Sequence, residues 1–428
     1  MVPDAAPWGV PTGDVLARVH REEHSRLLAT LVRRFGDLEL AEDAAQEAME
    51  AALRTWPERG VPQQPLAWLI TTARRSALDR VRRDATYARR LAELHLDERH
   101  RPEDPQDPRS PADAGMLAQG DLPDDRLAML MGCCHPALAP ADRIALMLRF
   151  VGSLSTAEVA AALLVPVPTM AARITRAKKR IATNRIPLTV PEDPHEREHR
   201  LPLVLTAISL VFTEGYAATS GDAPIRRELT GEAIRLARIT RQLLPATAEP
   251  QGLLALLLLT EARSTAREDA DGVPIALEDQ DRSRWDPDLI TEGLALVEEA
   301  AGREDAGRFT VQAAIAALHS QAPRFEDTDW AQIVSLYSML LMHGEDPVVR
   351  MNRAIAIGRR DGPESGLTLL EELSGEPGLA GHHPYYVALA LFLTEIGDRT
   401  AAERAWDRAL ELAGNTAERR FIERRRAG

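Results

Sequence analysis

The chain has 428 residues, too many for one ordinary core at roughly 150 residues per domain, so two or three modules are expected. Hydrophobic residues make up 45%, charged residues 27% and aromatics only 4%, a balance that favours helices over β-rich folds and points to an all-α protein. The net charge of −13 taken alone argues against a nucleic-acid partner, because phosphates select positive surface, so the distribution of charge along the chain has to decide.

No apolar run reaches the roughly 18 residues of a membrane span. The longest, Leu253 to Leu259, is bounded by Gly252 and by Thr260 and Glu261. Residues 1–13, with Asp4, Pro7 and Pro11, read as a tail without the basic-then-apolar layout of a secretory signal, so a cytoplasmic protein with no membrane partner is expected. The two cysteines, Cys133 and Cys134, are adjacent rather than spaced as in a disulfide framework, which fits a reducing compartment.

Residues 14–85 read as a first helical module. Leu27, Leu28, Leu31, Val32 and Phe35 recur at helical spacing, and Gly36 ends that helix. The stretch Leu40 to Met49 is acidic, which by itself describes a solvated helix face. From Trp68 to Arg83, Arg74, Arg75, Arg80, Arg82 and Arg83 share a segment with Trp68, Leu69, Ile70 and Leu78, a combination suited to single-stranded or melted DNA. The DNA role falls to the arginines, Trp68 reads as a core residue, and Asp79 is expected to pair with a neighbour. In residues 86–121 the pattern collapses into Arg, Asp, Glu and Pro, including Pro102, Pro105, Pro108 and Pro111, and reads as a charged linker.

Periodicity returns over residues 122–186, which hold the strongest local signal. Ser155 followed by Glu158 has capping-box spacing, and Val159, Leu163 and Leu164 supply the buried face of the helix it starts. Val165 to Pro168 read as a turn, with Pro168 tolerated in the first turn of the next helix. Met170, Ile174, Ala177 and Ile181 form that helix's buried stripe, leaving Thr169, Ala172, Arg173, Arg176, Lys179 and Arg180 toward solvent or DNA. This is a helix-turn-helix with a basic recognition helix. An α-helix fits the major groove, where Arg173 and Arg176 are the candidates for base or adjacent phosphate contacts and the other cations fix register.

Pro187, Pro191 and Pro194 interrupt the pattern in a second linker, 187–195, before a helical region that occupies 196–428. Small residues recur there at Gly293, Ala331, Gly366 and Ala402. Leu389, Gly397, Asp398, Ala402, Trp406, Ala409 and Leu410 resemble one tetratricopeptide unit, in which small residues let helices cross closely, so an α-hairpin repeat array is expected.

Three other constellations read as structural. Cys133, Cys134 and His135 do not suit zinc, since adjacent cysteines poorly share one tetrahedral ion and no second CxxC exists. Asp269, Asp271, Asp279 and Asp281 lack EF-hand spacing, and Arg267, Arg282 and Arg284 stand ready to neutralise them. No GxxxxGK[ST], GxSxG or HExxH occurs, so neither an enzyme nor a cofactor is expected.

Taken in order, the two basic segments and the charged linker between them resemble regions two and four of the extracytoplasmic-function sigma factors over about residues 14–186. The resemblance implies core RNA polymerase and promoter DNA as partners. Leu40 to Met49 is similar to the family's clamp-binding helix, which makes Asp43, Gln46 and Glu47 the polymerase-binding candidates. Trp68 to Arg83 is similar to the helix that recognises and melts the minus-ten element, and the helix-turn-helix implies minus-35 readout. Many relatives carry Asn at the position of Arg75 and Gly at that of Leu164, so the role transfers and the promoter sequence does not. Cys133-Cys134-His135-Pro136, the string Glu278 to Asp286 and the helical back half resemble the subgroup with a tetratricopeptide-like extension. That extension is expected to regulate or support activity, with a protein regulator as its candidate partner. The alternatives are a helix-turn-helix regulator with a helical-repeat sensor, which recruits polymerase without replacing sigma, and a small-molecule enzyme or sensor fused to a DNA module, which a deep polar pocket would favour.

Overall fold

Helices, one after another, carry the described residues. The computed structural model describes residues 12–95, 125–163, 165–216 and 226–427. Among these residues there are eighteen α-helices and no strand, only an isolated bridge between Glu268 and Pro274. No single helix among them is long and apolar enough to cross a membrane. The chain divides into two compact units, residues 1–153 with 171–200, and residues 154–170 with 201–428.

In the first unit, α1 (Thr12–Phe35), α2 (Leu38–Arg59) and α3 (Pro65–His95) pack on one another. Gly36, at φ +67°, ends α1 in a conformation a side chain would strain, and its N–H closes on the Val32 carbonyl at 2.8 Å. The next residue, Asp37, caps α2, its carboxylate accepting from the N–H groups of Glu39 and Leu40 at 2.9 and 3.0 Å. Ala41, Ala44, Ala45, Ala48 and Ala52 line the buried side of α2, and small side chains there let α1 and α3 approach closely. Helix α3 runs on to His95, into the segment expected to be linker from residue 86. Thr86 to His95 contain no proline, and the prolines that end helical periodicity begin at Pro102, outside the described residues.

The same unit contains α4 (Asp125–Cys133), α5 (Pro140–Phe150) and the part of α7 (Val167–Thr183) from residue 171 onward. Helix α4 packs against α1, with an Arg33–Asp125 ion pair of 2.8 Å at the junction. Thus two stretches expected as separate modules share one unit.

The second unit contains α6 (Thr156–Ala162) and the first turn of α7, followed by most of α8 (Pro194–Tyr216), α9 (Arg227–Leu243), α10 (Ala248–Glu261), α11 (Pro287–Ala301) and α12 (Arg308–Gln321). Helix α10, which holds the Leu253 to Leu259 run, is buried almost all round by α9, α11 and α12, the environment an apolar helix requires. Beyond it come α13 (Trp330–Met342), α14 (Pro347–Asp361), α15 (Pro363–Glu371), α16 (His383–Glu395), α17 (Arg399–Leu412) and α18 (Thr416–Ala427). Asp286, Asp329, Asp346 and Asp398 cap α11, α13, α14 and α17 through their side chains, and Pro287 and Pro347 follow two of these caps at the first helical position.

Helices α14 and α15 cross where Gly358 meets Gly366. A Cβ on Gly366 would lie 2.7 Å from the Gly358 Cα and 2.6 Å from the Phe392 ring, so neither position has room for a side chain. Of the recurring small residues, Gly293, Gly366 and Ala402 are buried at such junctions, whereas Ala331 is exposed on the first turn of α13. The expected spacing therefore fails at Ala331. The cation partners of the acidic loop also differ from those expected. Arg424 pairs with Asp269 and with Asp271 at 3.8 Å, and Arg425 pairs with Asp279 at 3.2 Å. Asp281 instead caps the turn at Ser283. The local arginines are engaged elsewhere: Arg267 donates to the Tyr216 carbonyl, Arg282 to those of His319 and Ala322, and Arg284 to that of Thr265.

Candidate nucleic-acid interface

The basic face of α7 depends on how its flanking segments are built. Ser155 and Glu158 make a reciprocal capping box at the start of α6: the Glu158 N–H donates to the Ser155 hydroxyl at 3.2 Å and the Ser155 N–H to the Glu158 carboxylate at 2.6 Å. The second oxygen of Glu158 receives Arg226 Nη1 at 2.7 Å, and both side chains are largely buried. That ion pair explains why α6 belongs with the second unit. Val159 is fully buried as expected, Leu163 is half-buried at the helix end, and Leu164 lies outside the described residues. The turn is tighter than expected, because α7 already begins at Val167.

On α7, Met170, Ile174, Ala177 and Ile181 form one buried stripe. Thr169, Ala172, Arg176, Lys179 and Arg180 are exposed on the remaining surface. Arg173 is not among them; its side chain is only 21% exposed and its Nε stands 4.0 Å from the Asp142 carboxylate of α5. The α5 carboxylate attracts it away from open solvent. Lys178, beside the stripe, donates to Glu42 of α2 at 2.7 Å, and Arg149 of α5 lies 3.6 Å from the other oxygen of that carboxylate. Neither Glu42 nor Lys178 stands out in the sequence, where 136 positions separate them. The one available signal is that Lys178 adjoins the apolar stripe rather than facing away from it.

On α3, Arg75, Arg82 and Arg83 are exposed and Arg74 and Arg80 half-buried. Arg80 pairs with Asp43 of α2 at 2.5 Å, and Asp79 lies 3.8 Å from Arg82, the neighbour pairing expected of it. Trp68 is half-buried and meets the buried Trp56 edge-on, with ring centroids 5.6 Å apart, so part of its surface is committed to packing. The acidic helix is engaged in the same way. Asp43 faces Arg80, Glu47 accepts from the Ser76 hydroxyl, and Gln46 remains on the exposed side, donating to Glu50 at 3.3 Å. Asp43 and Glu47 thus help to fix α3 as well as bordering the exposed face of α2.

Cys133 and Cys134 are fully buried, and the Cys134 thiol lies 3.6 Å from the Arg200 carbonyl. Burial pushes the Cys133 thiol up to about 12, with the neighbouring Cys134 adding to it. Burial likewise lifts Cys134 to about 11 against the opposing pull of Arg143 and Arg200. Both thiols are packing groups.

The same segments carry matches to known protein families. Residues 19–86 match the family described as Sigma-70 region 2 and residues 128–181 the one described as Sigma-70, region 4. Residues 200–301 match a family of unknown function, DUF6596. The two matched regions define a sigma factor, a protein that acts with core RNA polymerase in promoter recognition. The chain belongs to the sigma-70 family. It is 42% identical over 395 residues to an uncharacterized protein of Rhizobium meliloti (strain 1021), covering 92% of this chain and 91% of that protein. No solved structure matches the chain significantly.

Proposed function

We propose that this chain is an extracytoplasmic-function sigma factor acting in the cytoplasm. In this reading α3 engages the minus-ten element through Arg74, Arg75, Arg80, Arg82 and Arg83. Helix α7 enters the minus-35 major groove with Thr169, Arg173, Arg176, Lys179 and Arg180, and α2 docks on polymerase at Asp43, Gln46 and Glu47. The tetratricopeptide-like C-terminal helices regulate or support this activity. The observation that carries the reading is the pair of basic surfaces, Arg75, Arg82 and Arg83 on α3 and Arg176, Lys179 and Arg180 on α7, standing exposed within the two matched regions.

The net charge of −13 fits this division of labour. Acidic surface elsewhere repels free DNA, so the basic helices act productively only once polymerase supplies its own positive channel. Run-off transcription with purified core polymerase tests the proposal. Specific transcripts should appear only when this chain is added, while the chain alone should shift promoter DNA weakly. Transcription that does not depend on the chain would refute it, and a footprint by the chain alone that still requires a separate sigma would assign it to the recruiting regulators.

A further inference from the structure

The last helix, α18, is held to the second unit mainly by charge. Five of its twelve residues are arginines, and among its described residues Ile422 alone is fully buried. Phe421 sits half-buried beside it, against the core that α14 to α17 share. The last turn supplies the ion pairs. Arg424 pairs with Asp269 and, at 3.8 Å, with Asp271; Arg425 pairs with Glu278 and, at 3.2 Å, with Asp279. Arg426 turns the other way, to Glu403 and, at 2.9 Å, Asp407 of α17. Arg424, Arg426, Asp271, Asp279, Glu403 and Asp407 are all exposed. Pairs of that kind are individually weak and are screened by salt.

Beneath α18 the packing is incomplete. Two recesses of about 290 and 260 Å3 share Phe421 with Ile355, Arg359 and Leu391, so they are two parts of one cleft that α14 and α16 floor. Pro384 and Val387 of α16 extend the first part, and Trp330 and Tyr337 of α13 the second. The charges at the edge are already matched, since Arg359 lies 3.3 Å from Glu278 and 2.9 Å from Glu395. What α18 leaves uncovered is therefore mainly apolar surface. A helix that matched its seat would leave little such space.

We propose that this cleft is a docking site for a basic amphipathic helix of a partner protein, which displaces α18. An apolar floor between two sets of carboxylates, one from the acidic loop and one from α17, is the seat that such a helix requires. The arginines of α18 already show the charge complementarity. The fit argues for a foreign helix, because the α18 of a second copy would fill the cleft no better than this one does. The partner places bulky apolar anchors on Ile355, Val387 and Leu391, and its cations on the carboxylates that Arg424, Arg425 and Arg426 release. The site lies wholly in the second unit and does not depend on the sigma reading, while giving the C-terminal helices a protein input.

Fluorescence anisotropy with a labelled peptide of residues 414–428 tests the proposal. Against the unmodified chain the peptide should bind weakly, because the tether gives α18 an effective concentration on the order of millimolar. The full-chain triple variant Arg424→Glu, Arg425→Glu and Arg426→Glu loosens α18. It should bind the peptide at one site and at least about tenfold more tightly. A peptide carrying Phe421→Trp, with more apolar surface for the cleft, should bind severalfold more tightly again. A peptide carrying the three Glu substitutions should not bind. No saturable binding to the variant, equal affinity for the Phe421→Trp and native peptides, or binding indifferent to the peptide's arginines overturns the proposal.

Hydrogen exchange on the unmodified chain needs no variant. Amides of α18 should exchange ahead of those of α16 and α17, and severalfold faster at about 0.5 M salt than at about 0.05 M, while α16 changes little. Exchange of α18 in step with α17 and indifferent to salt overturns the proposal. A salt-sensitive dimer in sedimentation does so too, by assigning the cleft to a second copy.

Discussion

Lys178 of the basic helix α7 donates to Glu42 of the acidic helix α2 at 2.7 Å, with Arg149 on the same carboxylate, and both Lys178 and Glu42 side chains are 22% exposed. Glu42 is the immediate neighbour of Asp43. The contact therefore joins the surface proposed to meet polymerase to the helix proposed to meet DNA. A polymerase that takes up the two surfaces separately has to break it.

Replacing Glu42 with Gln keeps the shape and removes the charge. A partly buried pair of this kind is worth about 1 kcal/mol after solvent screening, so the variant should bind core polymerase up to about fivefold more tightly. Fluorescence anisotropy with labelled core enzyme measures this. An unchanged or weaker affinity would show that the pair is not a brake on docking.

The capping box at Ser155 permits a graded test of what holds α6. Ser155→Ala removes one cap hydrogen bond and should lower stability by about 1 kcal/mol. Glu158→Ala removes the reciprocal bond and also one of the two carboxylate partners of Arg226, whose side chain is only 16% exposed and which keeps Glu228 at 3.3 Å, so it should cost more, on the order of 2 kcal/mol. Chemical denaturation gives the order of the two. A Ser155→Ala loss equal to or larger than that of Glu158→Ala would mean that Arg226 does not hold α6.

Much of this was legible in the sequence because it is local. Caps, the buried stripe of α7, the all-helical class and the exposed cations at Arg176, Lys179 and Arg180 follow from spacing within one or two turns. The misread positions are those decided by partners far along the chain. Arg173 has the spacing of a solvent-facing residue, yet Asp142 of another helix draws it inward. Spacing predicts that the acidic loop is neutralised by its own arginines, whereas the C-terminal Arg424 and Arg425 reach it from about 150 residues away, 155 for the Asp269 pair and 147 for the Glu278 pair. Ala331 kept the repeat spacing but falls on an exposed turn. Periodicity identifies which face of a helix is apolar, but it does not identify what packs there.

Arg173 and Arg176 should differ when promoter binding by the holoenzyme is measured against salt. Arg176, Lys179 and Arg180 are exposed and free to neutralise phosphates, so replacing any one with Ala should lower the slope of log affinity against log salt by about 1. Arg173→Ala, made next to Asp142, should change the slope less. Equal slope changes at Arg173 and Arg176 would show that Asp142 releases Arg173 on DNA.

The vicinal cysteines report on the first unit's core. With thiol values of about 12 and about 11, the thiolate fraction at pH 8 falls about a hundredfold or more below that of an exposed cysteine, and burial blocks the reagent as well. The native chain should therefore leave 5,5′-dithiobis(2-nitrobenzoate) nearly uncoloured, and both thiols should react at once in guanidinium. Intermediate denaturant then separates two cases. If α4 opens only with the whole unit, reactivity will follow the unfolding curve. If it opens alone, the thiols will react earlier, while helical content is still intact. Prompt reaction of either cysteine in native buffer would contradict their placement as core groups beside Arg200.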